Sequence, residues 1–141
     1  MPAFRLACAK WRLITFIAAK RIASTYCSHV YAKQLVADLG SKEAVVALRQ
    51  DFHDAGLSAR DVEMLAYAEQ IAIDASQVTE ANIDRLRAVG FSDQQICDIA
   101  LCAAFRCFVS RFFDAVGAGT EPAFIDSDEA FRAAMTVGRS Y

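Results

Sequence analysis

Helix-breaking residues are scarce in this chain. Its 141 residues include only two Pro and six Gly, while hydrophobic residues make up 55%. This composition argues against disorder and favours an all-helical protein. No segment alternates apolar and polar residues in the way that half-buried strands do. The length is that of one domain, so we expect residues 1–141 to form a single all-α unit.

Signals for metals, membranes and nucleic acids are also sparse. The chain has two His, and neither lies at ligand spacing from a pair of Cys. The apolar run of the N-terminal segment, residues 13–19, is far shorter than the ~20 residues that cross a bilayer. The net charge of −2 provides no general attraction to nucleic acid. We therefore expect no metal or other cofactor, no membrane association and no nucleic-acid partner.

Cysteines and basic residues bear on the compartment. The five Cys are odd in number and none has CxxC spacing, which suits a reducing cytoplasm: Cys8, Cys27, Cys97, Cys102 and Cys107. Six basic residues precede the first acidic residue, Asp38. Such a stretch is typical either of a mitochondrial transit peptide or of one basic helix face. We favour the helix face because the stretch runs directly into the helical pattern. We predict a cytoplasmic protein without a secretory signal.

Helical periodicity and capping residues predict a bundle of six or seven helices. Gly40, Gly90 and Gly117 follow periodic segments and indicate helix ends. Ser92 followed by Gln95 is a capping box that begins the longest and most apolar helix. The predicted helices cover residues 3–22 (with Phe4 on the apolar stripe), 25–39, 42–51, 58–75, 79–90, 93–116 and 126–136.

Residues 24–31 form the candidate site. With Ser24 as the N-cap, Cys27 falls at the third helical position, close to the unpaired amides of the first turn. The positive helix end favours a thiolate, which is nucleophilic and readily oxidised by peroxide. The alternative is a buried Cys that packs as a small apolar residue. Basic residues of the preceding helix would support the thiolate if that helix folds back: Arg12, Lys20 and Arg21.

Two further side chains lie close to Cys27 in sequence. Tyr31 is four residues later and shares its helix face, whereas His29 is two residues later and points nearly the opposite way. His29 would therefore act as a base for Cys27 only if the first turn were irregular. More often a His in this setting faces solvent or bonds a carbonyl. His53 lies in a loop, where we expect it at the surface.

The long helix over residues 93–116 carries three Cys, several Phe and two Arg. Spacings of five residues rotate Cys97, Cys102 and Cys107 away from one row, which predicts core packing. The aromatic residues are predicted to lie in the core or in a subunit interface: Phe105, Phe108, Phe112 and Phe113 beside Arg111. A buried Arg106 needs a carboxylate, for which the candidates are Glu63, Glu69 and Asp114, or else it binds an anion.

The stretch Ser24-Thr25-Tyr26-Cys27 resembles the motif of the AhpD-like alkylhydroperoxidase / carboxymuconolactone decarboxylase family. Residues 13–21, 62–73, 79–93, 103–108 and 114–117 are similar to that family's other segments in the same order. The resemblance covers roughly residues 10–120 and points to the peroxidase-related branch, as a single-Cys variant. It implies an AhpD-like helical bundle of six to seven helices that assembles into a dimer, trimer or hexamer.

The resemblance also implies site residues. The family's catalytic members share a CxxCxxxH motif with a Glu on the preceding helix. The second Cys attacks peroxide, the first resolves it as a disulfide, and His with Glu relays the proton. In this chain Cys27 corresponds to the second Cys, Ser24 to the first, Tyr31 to the His and Arg12 to the Glu. Ser24 excludes an internal disulfide, a phenol is a poor base at neutral pH, and Arg12 can hold a thiolate but cannot relay a proton.

Three functions follow from this resemblance. The first, which we prefer narrowly, is a thiol-dependent peroxidase-like oxidoreductase in which Cys27 attacks a small hydroperoxide and an external thiol restores it. Arg12 would support the thiolate, with Tyr31 and His29 as hydrogen-bond partners. The second is a non-catalytic member that binds a small acidic or apolar ligand. The third is decarboxylation of a lactone-type acid held by Arg12 or Arg106.

Overall fold

The structure is a computed structural model that describes residues 7–139. Within that range the chain folds into seven α-helices and no strand, which confirms the all-α prediction. None of these helices has the length and apolar character needed to cross a membrane. The helices are α1 Cys8–Arg21, α2 Thr25–Leu39, α3 Lys42–Gln50, α4 Ala59–Asp74, α5 Glu80–Ala88, α6 Asp93–Ala115 and α7 Glu129–Met135, with 3-10 turns at Ala75–Gln77 and Pro122–Phe124. The predicted first turn around Phe4 lies outside the described residues.

Helix α1 forms the centre of the bundle. Its residues 13–19 are all buried, so this helix is surrounded rather than amphipathic. It packs against α2, α4 and α6, and α7 lies across α2 and α3. The core therefore forms around residues 13–19 of α1. Helix α2, which carries the candidate site, is held between this core and the C-terminal helix.

Side chains at the helix ends explain why the boundaries were predictable. Ser41, Ser58 and Ser92 each accept a hydrogen bond from the backbone amide three residues later. Gly40 ends α2 with a φ of +85°, a left-handed conformation that glycine adopts without steric cost. The last helix is shorter than the predicted residues 126–136, because Asp128 caps it by accepting from the Phe131 amide at 3.1 Å.

The basic residues of α1 pair with carboxylates of later helices: Lys10 with Asp61 at 2.5 Å, Arg12 with Asp38 at 2.7 Å, and Arg21 with Glu69 at 2.6 Å. Pairs this exposed contribute at most about 1 kcal/mol each. Their meaning here is geometric. Lys10 and Arg21 join α1 to α4, whereas Arg12 joins it to α2. Lys20, the fourth basic residue of α1, donates to the backbone carbonyls of Arg49 and Gln50.

Helix α6 carries a row of exposed apolar side chains, defined here as the α6 stripe: Leu101, Phe105, Phe108, Phe112 and Val116. Phe108 is 67% exposed, so the row is not core in a single chain. A shallow groove of 600 Å³ runs beside it and includes Ile71, Cys107 and Arg111. This exposure excludes the core for Phe105, Phe108 and Phe112, and a subunit interface stays a prediction for them.

Candidate functional site

The candidate site is built on the first two turns of α2. Ser24 is the N-cap residue with extended backbone angles, and α2 is regular from Thr25 onward, so Cys27 occupies the third helical position as predicted. The link from α1 is tight, since Ala23 alone turns the chain through a left-handed φ of +53°. One face of α2 meets α6 and the opposite face meets α3 and α7.

Cys27 is buried on the α6-facing side of α2. Its side chain is 1% exposed, and the Ser110 hydroxyl of α6 donates a hydrogen bond to Sγ at 3.0 Å. Ser110 is itself 1% exposed. The sulfur of Cys27 therefore has one hydroxyl donor in a buried environment. Sequence reasoning missed Ser110, whose one signal is that it is a polar residue within an apolar helix.

The other described thiols lie in different surroundings. Burial raises the pKa of Cys102 to about 12 and also raises that of Cys107, although a nearby arginine opposes each shift. Cys8 and Cys97 are exposed. The prediction that Cys97 packs in the core was therefore wrong, because the five-residue spacing turns it to the outer side of α6. Among these thiols, Cys27 is the one with a hydroxyl donor on its sulfur at a helix start.

Tyr31 lies one turn after Cys27 and is held by Arg106. The guanidinium donates to the phenol oxygen at 2.5 Å and lies over the Tyr31 ring at 4.9 Å and the Trp11 ring at 6.0 Å. The prediction that Glu63 or Glu69 would pair with Arg106 was wrong, since both carboxylates pair with other arginines. A phenol and two aromatic faces take that place.

Arg12 does not contact Cys27. Its guanidinium donates to both carboxylate oxygens of Asp38 at 2.7 and 2.8 Å, and this hydrogen bonding raises the pKa of Arg12. Asp38 lies near the end of α2, far along the helix from Cys27 at its start. The antiparallel crossing of α1 and α2 therefore directs Arg12 to the wrong end of α2 for the role that the sequence suggested.

His29 points away from Cys27, as a regular helix requires. It is 5% exposed, and its Nε2 lies 3.3 Å from the Thr136 hydroxyl. Thr136 gives its single hydroxyl proton to the Arg132 carbonyl, so Nε2–H of His29 is the donor in this pair. Burial lowers the pKa of His29, and the charges of Arg49 and Arg132 lower it further. The predicted partnership of His29 with Cys27 is thus not formed.

A buried arginine lies behind His29. Arg49 is 5% exposed, donates from Nη2 to the Ser28 hydroxyl at 2.5 Å, and stacks 3.8 Å from the Phe16 ring. Ser28 in turn donates to the Met135 carbonyl at 2.5 Å. Burial lowers the pKa of Arg49 to about 9, which leaves it charged at neutral pH. Sequence reasoning missed this cation because α3 reads as an ordinary amphipathic helix.

The segment after α7 crosses the start of α2. The Gly138 amide donates to the Thr25 hydroxyl at 3.0 Å, and a Cβ at position 138 would lie 2.0 Å from the Ala23 carbonyl oxygen. Ser24 is buried beneath this crossing, and its hydroxyl has no hydrogen-bond partner among the described residues, so it does not cap α2 through its side chain. Residues 136–138 are called the C-terminal crossing below.

No three His, Cys, Asp or Glu side chains converge to hold a metal ion in the part of the chain that the structure covers. The chemistry available at the start of α2 is therefore that of a thiol with a hydroxyl donor, a phenol on a guanidinium, and a neutral imidazole on the opposite face.

The arrangement of these helices is that of the AhpD-like fold. Two solved structures have this fold. One is an uncharacterized peroxidase-related protein from Silicibacter sp. TM1040, with a TM-score of 0.80 and 22% identity over 85% of this chain and 63% of that chain. The other is an alkylhydroperoxidase AhpD core, an uncharacterized peroxidase-related protein from Ralstonia eutropha JMP134, with a TM-score of 0.76 and 20% identity over 96% of this chain and 67% of that chain.

These likenesses confirm the AhpD-like fold that the sequence motif predicted. The chain spans somewhat less than two thirds of the Silicibacter structure, 63% of its length. No protein-family model matches the sequence, and no curated protein matches it. The comparisons therefore bear on the fold, and the activity has to be argued from the site.

Proposed function

We propose that this protein is a single-cysteine, peroxidase-like oxidoreductase that reduces small alkyl hydroperoxides through Cys27 with an external thiol. The observation that carries the proposal is the hydrogen bond from the Ser110 hydroxyl to Cys27 Sγ, at 3.0 Å, in the first turn of α2. The helix amides and the hydroxyl both favour negative charge on sulfur, and the thiolate is the nucleophile. The AhpD-like fold supports the same class of chemistry.

In the oxidising half of the cycle, Cys27 reacts with the peroxide. The thiolate attacks one peroxide oxygen, a sulfur–oxygen bond forms, and the oxygen–oxygen bond breaks to release an alkoxide. The alkoxide takes up a proton and leaves as the alcohol, while Cys27 becomes a sulfenic acid. The sulfur is oxidised by two electrons and the peroxide is reduced by two.

Tyr31 is the proposed proton donor to the departing alkoxide. It shares the Cys27 face of α2, and its oxygen accepts from Arg106 at 2.5 Å, which leaves the phenolic proton available for donation. The guanidinium then stabilises the phenolate that remains until water reprotonates it. This arrangement replaces the His of the family motif with a cation-supported phenol.

The reducing half of the cycle requires a thiol from solution. Ser24 occupies the position of the first motif Cys, the one that resolves the oxidised sulfur in the family, and all five Cys are free. An external thiol attacks the sulfenic sulfur and releases water, giving a mixed disulfide. A second thiol then attacks this disulfide, which restores Cys27 and releases the oxidised thiol as its own disulfide.

Peroxide turnover with an added small thiol tests the proposal. The wild-type chain is expected to consume tert-butyl hydroperoxide with dithiothreitol faster than Cys27→Ser, while Cys97→Ser, a substitution at an exposed thiol, retains the wild-type rate. Equal turnover by wild type and Cys27→Ser would refute the redox function.

A second candidate is a non-redox module that binds a small ligand. It is favoured by the 1% exposure of Cys27 and by the pairing of Arg12 with Asp38, which leaves no arginine of α1 at the sulfur. The decarboxylase alternative gains no support, because its proposed carboxylate ligands, Arg12 and Arg106, are engaged by Asp38 and Tyr31. Absence of any thiol-dependent turnover would favour the binding module.

Self-association is part of the same proposal. The α6 stripe and its groove expose Phe108 and Phe112 side by side with Arg111, a mixture of apolar and charged surface typical of subunit contacts. We expect a homo-oligomer with this face covered. A light-scattering mass equal to one 15.4 kDa chain would contradict it.

A further inference from the structure

A cavity of 270 Å³ lies on the side of α2 opposite Cys27, between α2, the 3-10 turn near residue 123 and α7. Its polar lining residues are Thr25, His29, Thr120, Arg132 and Thr136, with Glu129 as an additional charged residue. The polar part of the wall is thus three hydroxyls, one imidazole, one guanidinium and one carboxylate, and Ile125 and Ala133 complete the lining. This volume is slightly below the roughly 300 Å³ at which pockets for drug-sized ligands begin, so its occupant is small.

The inner wall is fixed and electropositive. His29 and Thr25 are at least nine-tenths buried, and each has a hydrogen bond to the C-terminal crossing. The charges that perturb His29 are those of Arg49 and Arg132, both positive, and both lower its pKa together with burial. A neutral imidazole between two arginines is an environment that attracts an anion.

The carboxylates near the cavity do not neutralise its inner wall. Glu129 is exposed, in the first turn of α7. Asp126 accepts from Lys42 at 2.6 Å, while its backbone carbonyl accepts one guanidinium hydrogen bond from Arg132 at 3.1 Å. That bond orients the Arg132 guanidinium, which has further N–H groups to offer.

One polar atom in the wall has no partner. Thr120 lines the cavity, and its Oγ1 is buried without a hydrogen-bond partner in the described structure. Burial of a hydroxyl without a hydrogen bond is unfavourable, so such a group marks a place where a polar ligand atom would fit. A ligand oxygen at this position would satisfy it.

We propose that this cavity is a binding site for a small carboxylate, held by the Arg132 guanidinium and the Thr120 hydroxyl against the His29 wall. A guanidinium matches the two oxygens of a carboxylate, and hydroxyls donate to the remaining lone pairs. The site is separate from Cys27, on the other face of α2, and does not rest on the proposed redox function.

The test is an NMR titration of the full-length protein, with acetate as the probe and acetamide as its neutral isostere. The chain has only two His, so the two imidazole Cε1–H signals are readily assigned with a His53→Asn variant. His29 lines the cavity, whereas His53 is exposed and bonded to Asp51, which makes it an internal control. Sodium chloride at matched ionic strength controls for screening.

The expected result is a saturable acetate-dependent shift of His29, with no saturable shift of His53 and none with acetamide. Arg132→Gln is expected to weaken binding about tenfold or more, and Thr120→Val about threefold or more. Arg85→Gln, at an exposed arginine paired with Glu63, should bind acetate like the wild type. The same titration in Cys27→Ser should be unchanged, which separates this site from the redox proposal.

Three outcomes would overturn the site. The first is that the His29 signal does not shift up to about 100 mM acetate. The others are equal shifts of His29 with acetate and with acetamide, or equal acetate affinity of wild type and Thr120→Val. The Thr120→Val comparison retains the test if Arg132→Gln does not fold.

Discussion

The two faces of α2 bury polar side chains against different kinds of partner. On the α6 side, each group is met by one partner from a distant helix: Ser110 for Cys27 and Arg106 for Tyr31. On the α7 side, Ser28 and His29 join a network that includes the buried Arg49 and the backbone of the C-terminal segment. The first face carries the sulfur that we propose to be reactive, and the second holds a buried cation and a cavity.

This difference shows which properties a helix face can acquire from its neighbours. On the α6 side, Cys27 and Ser110 are both 1% exposed, and the Ser110 hydroxyl is the polar group that contacts the sulfur. The α7 side contains several hydroxyls and carbonyls, so a charge can be buried there with only neutral partners. The predictions below test the two faces separately.

The largest expected effect is on the α6 face. Ser110→Ala removes the donor to Cys27 Sγ and should lower the second-order rate of Cys27 oxidation by hydroperoxide about tenfold, the effect of one lost hydrogen bond to a charged group. Stopped-flow kinetics at pH 7 would measure it. Ser127→Ala, at an exposed position before α7, is the matched control and should leave the rate unchanged. An unaltered rate in Ser110→Ala would mean that the hydroxyl plays no part in activation.

The next effect concerns access to both faces at the start of α2. In Gly138→Ala the added Cβ would lie 2.0 Å from the Ala23 carbonyl oxygen, so the C-terminal crossing must shift. Alkylation of Cys27 by iodoacetamide, followed by peptide mass spectrometry, is expected to accelerate about threefold or more as local opening becomes easier.

Gly56→Ala is the control for that experiment. Gly56 has a φ of +73° with open space around it, so the substitution strains a distant loop without touching the crossing. If both variants accelerated alkylation equally, the effect would reflect general loss of stability and not displacement of the crossing.

On the α7 face, Arg49→Met is expected to leave the free energy of unfolding unchanged or to raise it by up to about 2 kcal/mol. The reason is that an apolar side chain replaces a buried cation that has no ion-pair partner among residues 7–139. Chemical denaturation at pH 7 measures this. Arg60→Met is the matched control, since Arg60 also lies over a Phe ring, at 4.2 Å, but is exposed. A loss of more than about 2 kcal/mol in Arg49→Met would show that its hydrogen bonds outweigh its desolvation.

The smallest effect is the pH dependence that His29 contributes. Its pKa is lowered in the folded state, so the unfolded chain binds the proton more readily as pH falls through the ordinary histidine range near 6.5. This contribution to stability is full above that range and is lost on acidification, with a slope of at most about 1.4 kcal/mol per pH unit. His29→Gln should flatten the unfolding curve between pH 7 and the lowered pKa. An unchanged slope in that variant would remove His29 from the explanation.

Much of the fold was predictable from local signals. Serine caps, Gly40 and the apolar run at residues 13–19 are short-range features, and the structure places helix ends within a few residues of those predicted. The position of Cys27 in the first turn of α2 follows from the same local pattern. Its neighbour Ser24 was placed correctly as the N-cap, but the side chain does not make the expected bond.

The partners of the site residues were not predictable, because they depend on how distant helices meet. Ser110 lies 83 residues from Cys27, and Arg106 lies 75 residues from Tyr31. Spacing along α6 shows that its Cys cannot share a row, yet it does not say which of them faces outward. Arg12 was assigned to the sulfur on sequence correspondence, and the antiparallel crossing of α1 and α2 carries it to Asp38 instead.

The central claim is that Cys27 is the reactive thiol of this chain although it is buried. The most direct measurement is to treat the protein with a limiting amount of tert-butyl hydroperoxide, trap sulfenic acids with dimedone, and quantify the label on each of the five Cys by mass spectrometry. The account predicts that Cys27 is labelled fastest, ahead of the exposed Cys8 and Cys97. Labelling of Cys27 no faster than that of the buried Cys102 and Cys107 would contradict it.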